Sequence, residues 1–340
     1  MADKPILSIK DLKIYFNTDE GVVRAVDGVS FDVLPGQTVG IIGESGCGKS
    51  TVGKALLRIL DQNGSIVNGT ITLNRPRPNG ETEEVDISSI NPKGEEIRKI
   101  RGEDIALIFQ EPMSAFSPVH TIGNQMREMI TLHQKVTRDE ATDLAVELLN
   151  KVGVPRPRQR MEGYVWQLSG GLRQRTMIAM AISNNPKVLI CDEPTTSLDV
   201  TTQGQILDLL RNLQEETGMA MIFITHNLGV IAEMADSVNV LYLGRNVESG
   251  TIDDIFHRPQ HPYTKALLQS IPSISGSGKE RLPAIAGSIP HVFNRPPGCP
   301  FNNRCSEFIK GTCDEHEPIF QPIGKTSQHV SCFLHHNVSK

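Results

Sequence analysis

Apolar and polar residues alternate along two stretches near the start of the chain, 7–16 and 22–33. This period of two predicts a pair of strands at the edge of a sheet. The short apolar run 39–42 then enters a glycine-rich turn, after which apolar residues between 52 and 59 recur at helical spacing. The pattern therefore predicts a strand, a loop and a helix in that order.

The middle of the chain predicts a larger set of elements. Segment 74–104 is rich in Pro, Gly and charge, which indicates a surface excursion, and a strand is predicted at 105–109. Residues 119–165 are predicted to be mainly helical, since their apolar residues recur at steps of three and four. The next predicted elements are a strand at 187–192, a helix at 202–216 and a strand at 221–224. Apolar strands alternating with helices predict an α/β fold with a parallel sheet covered on both faces.

The composition and the periodicity of the chain change after about residue 256. Proline and glycine become frequent, helical periodicity fades, and four of the six cysteines follow. A length of 340 residues also exceeds that of one ordinary domain. We therefore expect a main domain at 1–257 and a small cysteine-rich extension at 258–340.

Composition limits the classes of function. Hydrophobic residues make up 38% of the chain and charged residues 21%, as in ordinary soluble proteins, and the net charge of −5 argues against a nucleic-acid partner. No run approaches the ~18 apolar residues that span a bilayer, and the first residues lack the apolar region of a secretory signal. We expect a cytosolic protein whose cysteines are thiols or metal ligands rather than disulfides.

A phosphate-binding loop is predicted after the apolar run 39–42. Gly43, four intervening residues, Gly48, Lys49 and Ser50 fit its pattern. The glycines let backbone N–H groups turn toward a β-phosphate at the positive end of the following helix. Lys49 would reach the β- and γ-phosphates, and Ser50 would place its hydroxyl on Mg²⁺. This pattern predicts a nucleoside triphosphate and Mg²⁺ as ligands.

Polar residues follow three of the predicted strands. Asp192 ends one strand, where a carboxylate can hold Mg²⁺ through water, and Glu193 beside it is placed to act as general base. His226 follows the next strand and is a candidate partner of the γ-phosphate. Gln110 follows the strand 105–109, where its amide could reach Mg²⁺ or water.

These motifs, in this order, resemble the nucleotide-binding subunit of an ATP-binding cassette (ABC) transporter over roughly residues 6–255. The resemblance implies a P-loop NTPase fold with an N-terminal antiparallel β subdomain and a helical subdomain at about 112–168. It assigns the Walker A loop to Gly43, Glu44, Ser45, Gly46, Cys47, Gly48, Lys49, Ser50 and Thr51, the Q-loop to Gln110, and the signature motif to Leu168, Ser169, Gly170, Gly171 and Gln174. It assigns Walker B to Asp192 and Glu193, the D-loop to Ser197, Leu198 and Asp199, the switch histidine to His226, and adenine stacking to Phe16, with Tyr15 as the competing choice.

The resemblance also implies partners. Two ATPase subunits would sandwich two ATP molecules, each bound by one subunit's Walker A loop and by the other's signature motif. The second subunit is expected to be a related but different chain. Closure of this sandwich would pull on two transmembrane permeases, held by the segment after Gln110 and the helical region, and an extracytoplasmic protein would deliver the solute.

Four cysteines in the extension suggest a metal site. Cys299, Cys305, Cys313 and Cys332 lack the tight pairs usual in zinc sites, so their spacing leaves an iron–sulfur cluster, zinc and unligated thiols all open. The extension resembles that of oligopeptide and dipeptide ABC ATPases, at His261 to Thr264, Gly287 to Pro290 and Gly298 to Phe301. That resemblance implies a structural 4Fe-4S cluster on the four cysteines, with zinc as the alternative.

The sequence predicts an ATPase subunit of a bacterial oligopeptide or dipeptide importer, at the cytoplasmic face of the inner membrane. Segment 111–118 departs from the form common in peptide importers, so oligosaccharide import stays an alternative. A soluble ABC ATPase of translation or DNA repair is a second alternative, although one cassette without a long coiled-coil insertion argues against it. A non-enzymatic metal-binding module with a degenerate cassette is disfavoured by the complete set of Lys49, Asp192, Glu193 and His226.

Overall fold

The computed structural model describes residues 4–76, 82–196, 198–270 and 285–336. Its strands are β1 (Leu7–Thr18), β2 (Gly21–Val33), β3 (Thr38–Ile42), β4 (Gly64–Pro76), β5 (Thr82–Asp86), β6 (Ile105–Ile108), β7 (Val188–Asp192), β8 (Ala220–Ile224), β9 (Ser237–Tyr242), β10 (Arg245–Thr251), β11 (Gln321–Pro322) and β12 (His329–Val330). Its α-helices are α1 (Lys49–Leu56), α2 (Glu95–Glu103), α3 (Pro112–Ala115), α4 (Ile122–His133), α5 (Arg138–Lys151), α6 (Pro157–Met161), α7 (Gly170–Ala181), α8 (Val200–Thr217), α9 (Leu228–Met234), α10 (Ile252–His257) and α11 (Pro262–Gln269). Short 3₁₀ turns lie at Ile87–Ser89, Val165–Gln167 and Asn302–Arg304.

Within the described ranges the strands form two sheets. The first is antiparallel in the order β2-β1-β4-β5, and it contains the strand pair predicted from the alternation at 7–33. The second has the order β11-β12-β10-β9-β3-β8-β7-β6. Its five strands from β9 to β6 are parallel, while β10, β12 and β11 are antiparallel additions. The predicted parallel core is confirmed, inside a sheet that is mixed as a whole.

The central strands of the large sheet are buried on both faces. Every residue of β3, β7 and β8 is buried. Ile41 packs into one apolar cluster with the antiparallel sheet and α1, while Ile42 packs into another with the helical region. Because neighbouring side chains point to opposite faces of a strand, this division shows that both faces are covered. The polar ends of these strands are therefore held rigidly.

The described residues of segment 74–104, which are 74–76 and 82–104, contain more secondary structure than the composition predicts. It holds the end of β4, the hairpin partner β5 and the helix α2. Ile97 and Ile100 of α2 are fully buried, because their spacing of three places both on one side of a helix. The prediction of a surface excursion missed this pair, since the charged residues around them dominate the composition.

The helical region between β6 and β7 contains α3 to α6. Ala141, Ala145 and Leu149 of α5 are fully buried at steps of four, as the sequence predicts. Thr137 begins this helix with a capping box, in which its hydroxyl and the Glu140 carboxylate satisfy each other's backbone N–H groups. Within this region α5 packs on α4 and α6, and the same helix packs on α7, which in turn packs on β6.

The end of the chain returns to the large sheet. Strand β12 pairs with β10, with Val330 opposite Glu248, and β11 pairs with β12. Phe301 packs edge-on against the rings of Tyr242 and Tyr263. The extension is therefore attached to the cassette by strand pairing and by aromatic packing. Across the described residues, none of the helices combines the length and the apolar content needed to cross a bilayer.

Candidate ATP site

The phosphate loop lies where the sequence predicts it, between β3 and α1. Gly43 and Gly48 have φ angles of 150° and 100°, in a region that favours glycine. A Cβ atom on Gly48 would lie 2.2 Å from the carbonyl oxygen of Ala25, so a side chain there has no room. Glycine at both positions lets the loop approach its neighbours closely and turn its backbone N–H groups inward.

Lys49 is buried and is held by the loop itself. Its Nζ atom donates to the carbonyl oxygens of Gly43 at 2.8 Å and of Glu44 at 3.1 Å. The Cys47 sulfur, buried beside the loop, lies 3.9 Å from the same nitrogen. A buried ammonium needs such partners, and a phosphate would supply stronger ones through charge-assisted bonds. Lys49 is thus placed at the loop with its charge directed to the phosphate position.

Ser50 and Asp192 come together beneath the loop. The Ser50 hydroxyl donates to Asp192 Oδ1 at 2.9 Å, although 142 residues separate them. A hydroxyl and a carboxylate oxygen are the hard ligands that Mg²⁺ takes, together with phosphate oxygens. Burial raises the pKa of Asp192, and the adjacent Glu193 raises it too, against the Ser50 hydrogen bond that lowers it. A bound cation would stabilise the ionised carboxylate, so the pair fits a magnesium site.

Three of the predicted catalytic residues converge at the end of β7. Gln110 Nε2 donates to Glu193 Oε2 at 3.0 Å, and His226 Nδ1 lies 3.0 Å from Glu193 Oε1. Thr196 also donates its hydroxyl to Glu193 Oε2, at 2.9 Å. The three strands β6, β7 and β8 end side by side, which is why residues far apart in sequence meet here.

Glu193 is held as an ionised carboxylate in a strained backbone position. Burial acts to raise its pKa, but the hydrogen bonds from His226 and Thr196 outweigh it, so the pKa is lowered. Its φ is +46°, in the left-handed region that residues other than glycine rarely adopt. Such strain is stored where the surrounding structure fixes a residue, often at functional sites.

The signature motif begins a helix and contacts the D-loop. Ser169 is the N-cap of α7, and its exposed hydroxyl makes no capping hydrogen bond within the described residues. A Cβ on Gly171 would lie 2.9 Å from the Thr202 side chain, and one on Gly170 would lie 3.8 Å from Leu198. Leu168 and Gln174, the other predicted members of the motif, are buried.

The D-loop lies at the start of α8. Asp199 caps this helix, accepting hydrogen bonds from the backbone N–H and the hydroxyl of Thr202 at 2.9 and 2.7 Å. Ser197, the third predicted D-loop residue, lies outside the described residues. The signature helix and the D-loop therefore meet through Thr202 on one surface.

The two candidates for adenine stacking lie side by side on β1. Phe16 is paired with Gly64 of β4, and its ring occupies the space that a Cβ on Gly64 would need. Tyr15 instead donates its hydroxyl to Asp27 Oδ1 at 3.0 Å. A cavity of about 440 Å³ adjoins Gly46 of the phosphate loop, between β2 and residues 291–296. The choice of Phe16 stays a prediction.

Sequence reasoning missed two residues that contact the phosphate loop from the extension. The Tyr263 hydroxyl accepts the backbone N–H of Glu44 at 2.9 Å. Arg304 forms a bidentate ion pair with the Glu44 carboxylate, at 2.7 and 3.0 Å. These residues stand 219 and 260 positions from Glu44. Tyr263 lies within the marker segment His261 to Thr264, and Arg304 follows the marker segment Gly298 to Phe301 by three residues, but sequence spacing carries no signal for such a contact.

The prediction of a metal centre on the four cysteines is contradicted. Cys299, Cys305, Cys313 and Cys332 are free thiols, and the described residues, which include all four, contain no group of three or more His, Cys, Asp or Glu side chains that could hold a metal ion. Burial raises the pKa of Cys299 to about 12 and that of Cys332 to about 11, which favours the neutral thiol. The iron–sulfur assignment is therefore wrong, and zinc as its alternative lacks support for the same reason.

The physical reason lies in what orders the extension. The four cysteines and the family resemblance led us to expect a metal, and the low apolar content of the segment led us to expect that this metal would order it. The structure instead attaches the segment through the Arg304–Glu44 ion pair, the aromatic packing of Phe301 and the pairing of β12 with β10. These contacts fill the role that the metal was predicted to have.

A phosphate loop, a paired serine and aspartate, and a glutamate held by an amide and an imidazole define a P-loop ATPase site. The family model of ABC transporters matches residues 26–196. The model of the oligopeptide/dipeptide transporter C-terminal region matches residues 247–313. The chain is 46% identical over 331 residues to a peptide import ATP-binding protein of Brucella melitensis biotype 1, covering 96% of each chain. It is 45% identical to one of Brucella ovis, covering 97% of this chain and 96% of the relative.

Solved structures are similar in fold. The ATP-binding cassette MJ0796, in a post-hydrolysis dimer with ADP and Pi, is 24% identical with a TM-score of 0.63, covering 72% of this chain and 98% of that one. The cbiO1 protein of Clostridium perfringens, part of the ABC transporter complex cbiONQ, is 25% identical with a TM-score of 0.60, covering 75% and 92%. The chain belongs to the ATP-binding subunits of the ABC transporter family. It is an ATPase with the cassette fold, and it binds ATP, typically with Mg²⁺.

Proposed function

We propose that this chain is the ATP-hydrolysing subunit of a bacterial importer of oligopeptides or dipeptides. The observation that carries the ATPase role is the convergence of Gln110 and His226 on Glu193, beside the Ser50–Asp192 pair. The solute class is supported by the names of the Brucella relatives, which refer to peptide import, and by the match of residues 247–313. These names favour peptides over oligosaccharides, and import over a soluble role.

Hydrolysis would begin with a rearrangement around Glu193. Both of its carboxylate oxygens already have partners. Oε2 accepts hydrogen bonds from Gln110 and Thr196, and Oε1 faces the Nδ1 atom of His226. A carboxylate oxygen can accept two hydrogen bonds, so Oε1, which faces His226, can also accept one from a water molecule. Turning of His226 toward the γ-phosphate, or of Gln110 away from Oε2, would free Glu193 further to accept the proton of the attacking water. The water oxygen then bonds to the γ-phosphorus as the bond to ADP breaks.

The same residues explain how the charge of the reaction is balanced. Lys49 leaves the loop carbonyls for the β- and γ-phosphate oxygens, and His226 donates to the γ-phosphate. Ser50, Asp192 and the Gln110 amide oxygen would hold Mg²⁺, which neutralises charge developing on the phosphate oxygens. The rigid ends of β3, β7 and β8 position these groups before ATP arrives, which is the arrangement that favours electrostatic stabilisation.

The signature motif would act on the ATP of a second subunit. The Ser169 hydroxyl is exposed and makes no capping bond within the described residues, and the N-terminus of α7 carries the partial positive charge that attracts a phosphate. We propose that Ser169, Gly170 and Gly171 close over the γ-phosphate held by the other cassette. The adjacent D-loop residues Leu198 and Asp199 then lie at the same interface. The second cassette is a related but different chain.

An apolar groove beside the helical region fits the permease contact. A cavity of about 480 Å³ lies next to Gln110 and is lined by apolar side chains that include Phe109, Met129, Leu132 and Met177. A permease segment seated there would move when Gln110 moves. We propose a cassette at 1–257, with its helical subdomain at about 112–168, and an extension at 258–340. The assembly has two permeases and an extracytoplasmic solute-binding protein, at the cytoplasmic face of the inner membrane.

Glu193→Gln in the assembled transporter tests the proposal. The substitution keeps the shape of the side chain but removes the base, so ATP should still bind while hydrolysis falls by about 10²–10⁴-fold. Glu216→Gln, at an exposed glutamate paired with Lys151, is the matched control. Uptake of a labelled oligopeptide and of a labelled oligosaccharide into vesicles identifies the solute. Hydrolysis at the unmutated rate in Glu193→Gln would reject the assigned base, and uptake of the sugar alone would reject peptide import.

A further inference from the structure

Every polar group of Glu44 in the phosphate loop has a partner, and two of these partners come from the C-terminal extension. Its N–H donates to the Tyr263 hydroxyl at 2.9 Å, and its carboxylate accepts two bonds from Arg304. Its carbonyl oxygen accepts from Lys49 Nζ at 3.1 Å and from the Cys47 N–H at 3.3 Å. One residue thus joins the extension to the lysine that binds phosphate.

The residues of the extension that contact Glu44 are buried and are held by several further interactions. The Arg304 side chain is only 4% exposed. Its Nε donates to the Ala286 carbonyl at 2.9 Å, and its Nη1, which also donates to Glu44, donates to the Tyr242 hydroxyl at 3.3 Å. Tyr263 is fully buried. The rings of Tyr242 and Phe301 pack beside the guanidinium, at 5.8 and 5.9 Å from it. The pKa of Arg304 is raised, mainly by its hydrogen bonds to Glu44, so the guanidinium stays positively charged.

We propose that Arg304 and Tyr263 are positioning residues for the phosphate loop, and that the extension is coupled through Glu44 to ATP binding. The inference rests on the proposed ATPase function. The extension holds the backbone of Glu44 in place, so that Lys49 and the loop N–H groups are ordered before the phosphates arrive. Preorganisation of this kind improves affinity because the ordering cost is not taken from the binding energy.

Coupling between two sites is reciprocal in binding free energy. If the docked extension tightens ATP binding, then ATP must stabilise docking of the extension by the same factor. The expected factor is about tenfold, which corresponds to the ordering of one residue's backbone. This second effect is measured without any catalytic turnover.

The test uses the full-length chain with Arg304→Met, Glu44→Gln and the double variant. We expect the dissociation constant of ATP to rise about tenfold in Arg304→Met, and the double variant to be no weaker than the weaker single variant. Additive losses would show that the two residues act independently and would overturn the proposal. Gln328→Ala is the matched control, because Gln328 also joins the extension to the cassette, through Glu248 at 2.8 Å, but away from the loop.

A milder variant covers the case in which Arg304→Met fails to fold. Tyr263→Phe removes only the hydroxyl that accepts the Glu44 N–H and leaves the ring packed against Tyr242 and Phe301. Its ATP affinity should fall several-fold while its melting temperature without ATP stays near that of the unmutated chain. An unchanged ATP affinity in this variant would contradict the proposal.

Hydrogen exchange of the extension completes the experiment. Saturating ATP should slow exchange of residues 299–313 about tenfold in the unmutated chain and leave it unchanged in Glu44→Gln. Equal protection in both would overturn the coupling. If the unmutated chain binds and hydrolyses ATP but shows no coupling, only this inference fails. If it does not bind ATP at all, the proposed function fails.

Discussion

His261 should make the stability of the protein fall in mild acid. The ring is buried, with the residue 1% exposed, and burial lowers its pKa to about 3. The positive charges of His335 and Lys265 lower it further. Nδ1 caps α11 by accepting the Tyr263 N–H at 3.0 Å, so a proton on Nδ1 would remove the cap. The folded protein therefore holds this ring neutral.

The direction and size of the effect follow from proton binding. Below the ordinary histidine pKa of about 6.5 the unfolded chain binds a proton at this position and the folded chain does not, so stability is lost as the pH falls. The slope of the free energy of unfolding against pH approaches about 1.4 kcal/mol per pH unit between roughly pH 6.5 and pH 3. Between pH 8 and pH 5 the loss attributable to this one ring is therefore about 2 kcal/mol.

The measurement compares the unmutated chain with His261→Asn. Asparagine keeps an acceptor at the helix cap but does not titrate. Urea unfolding followed by circular dichroism at pH 8, 7, 6 and 5 gives the free energy of unfolding of each protein. Both proteins retain Glu248, whose pKa burial raises, so its titration cancels in the difference. Between pH 8 and pH 5 the free energy of unfolding of the unmutated chain should fall by about 2 kcal/mol more than that of His261→Asn. Parallel pH profiles would refute the reasoning.

Two further predictions concern the signature motif and a helix cap. Ser169→Arg should leave ATP binding to the isolated subunit unchanged but abolish the ATP-driven dimer measured by size-exclusion chromatography, because we propose that this serine binds the ATP of a second subunit. Loss of ATP binding by the monomer would instead place Ser169 in its own subunit's site. Thr137→Ala breaks the capping box with Glu140 and should lower the free energy of unfolding by about 1 kcal/mol. Thr142→Ala on the same helix is its control. An equal loss of unfolding free energy in both variants would show that the capping box does not stabilise the helix.

The sequence predicts the residues of the candidate ATP site because each of them belongs to a short motif that can be recognised by itself. The loop from Gly43 to Ser50 is one continuous turn, and Asp192 and His226 each follow a buried strand. Parallel neighbouring strands end at the same edge of a sheet, so the residues that follow β7 and β8 had to come close, as Glu193 and His226 do. The order of these motifs was therefore enough to predict which residues meet, although not the hydrogen bonds that now hold Glu193.

The rest depended on contacts that composition does not reveal. The helix α2 was missed because the surrounding charges concealed Ile97 and Ile100. The metal centre was wrong because the type and spacing of the four cysteines say nothing about how tail and cassette pack. Arg304 contacts Glu44 across 260 positions, and a contact of that range depends on how the extension packs on the cassette.

The sequence separation of Glu44 and Arg304 also means that the two residues are synthesised at different times. Ribosomes add about 5–20 residues per second, so Arg304 follows Glu44 out of the peptidyl transferase centre after roughly 13–52 seconds. During this interval the strands and helices of the cassette can form, while the phosphate loop lacks its partners from the extension. The phosphate loop of the nascent chain can therefore gain its ion pair with Arg304 only after the 260 residues that separate the two positions have been added.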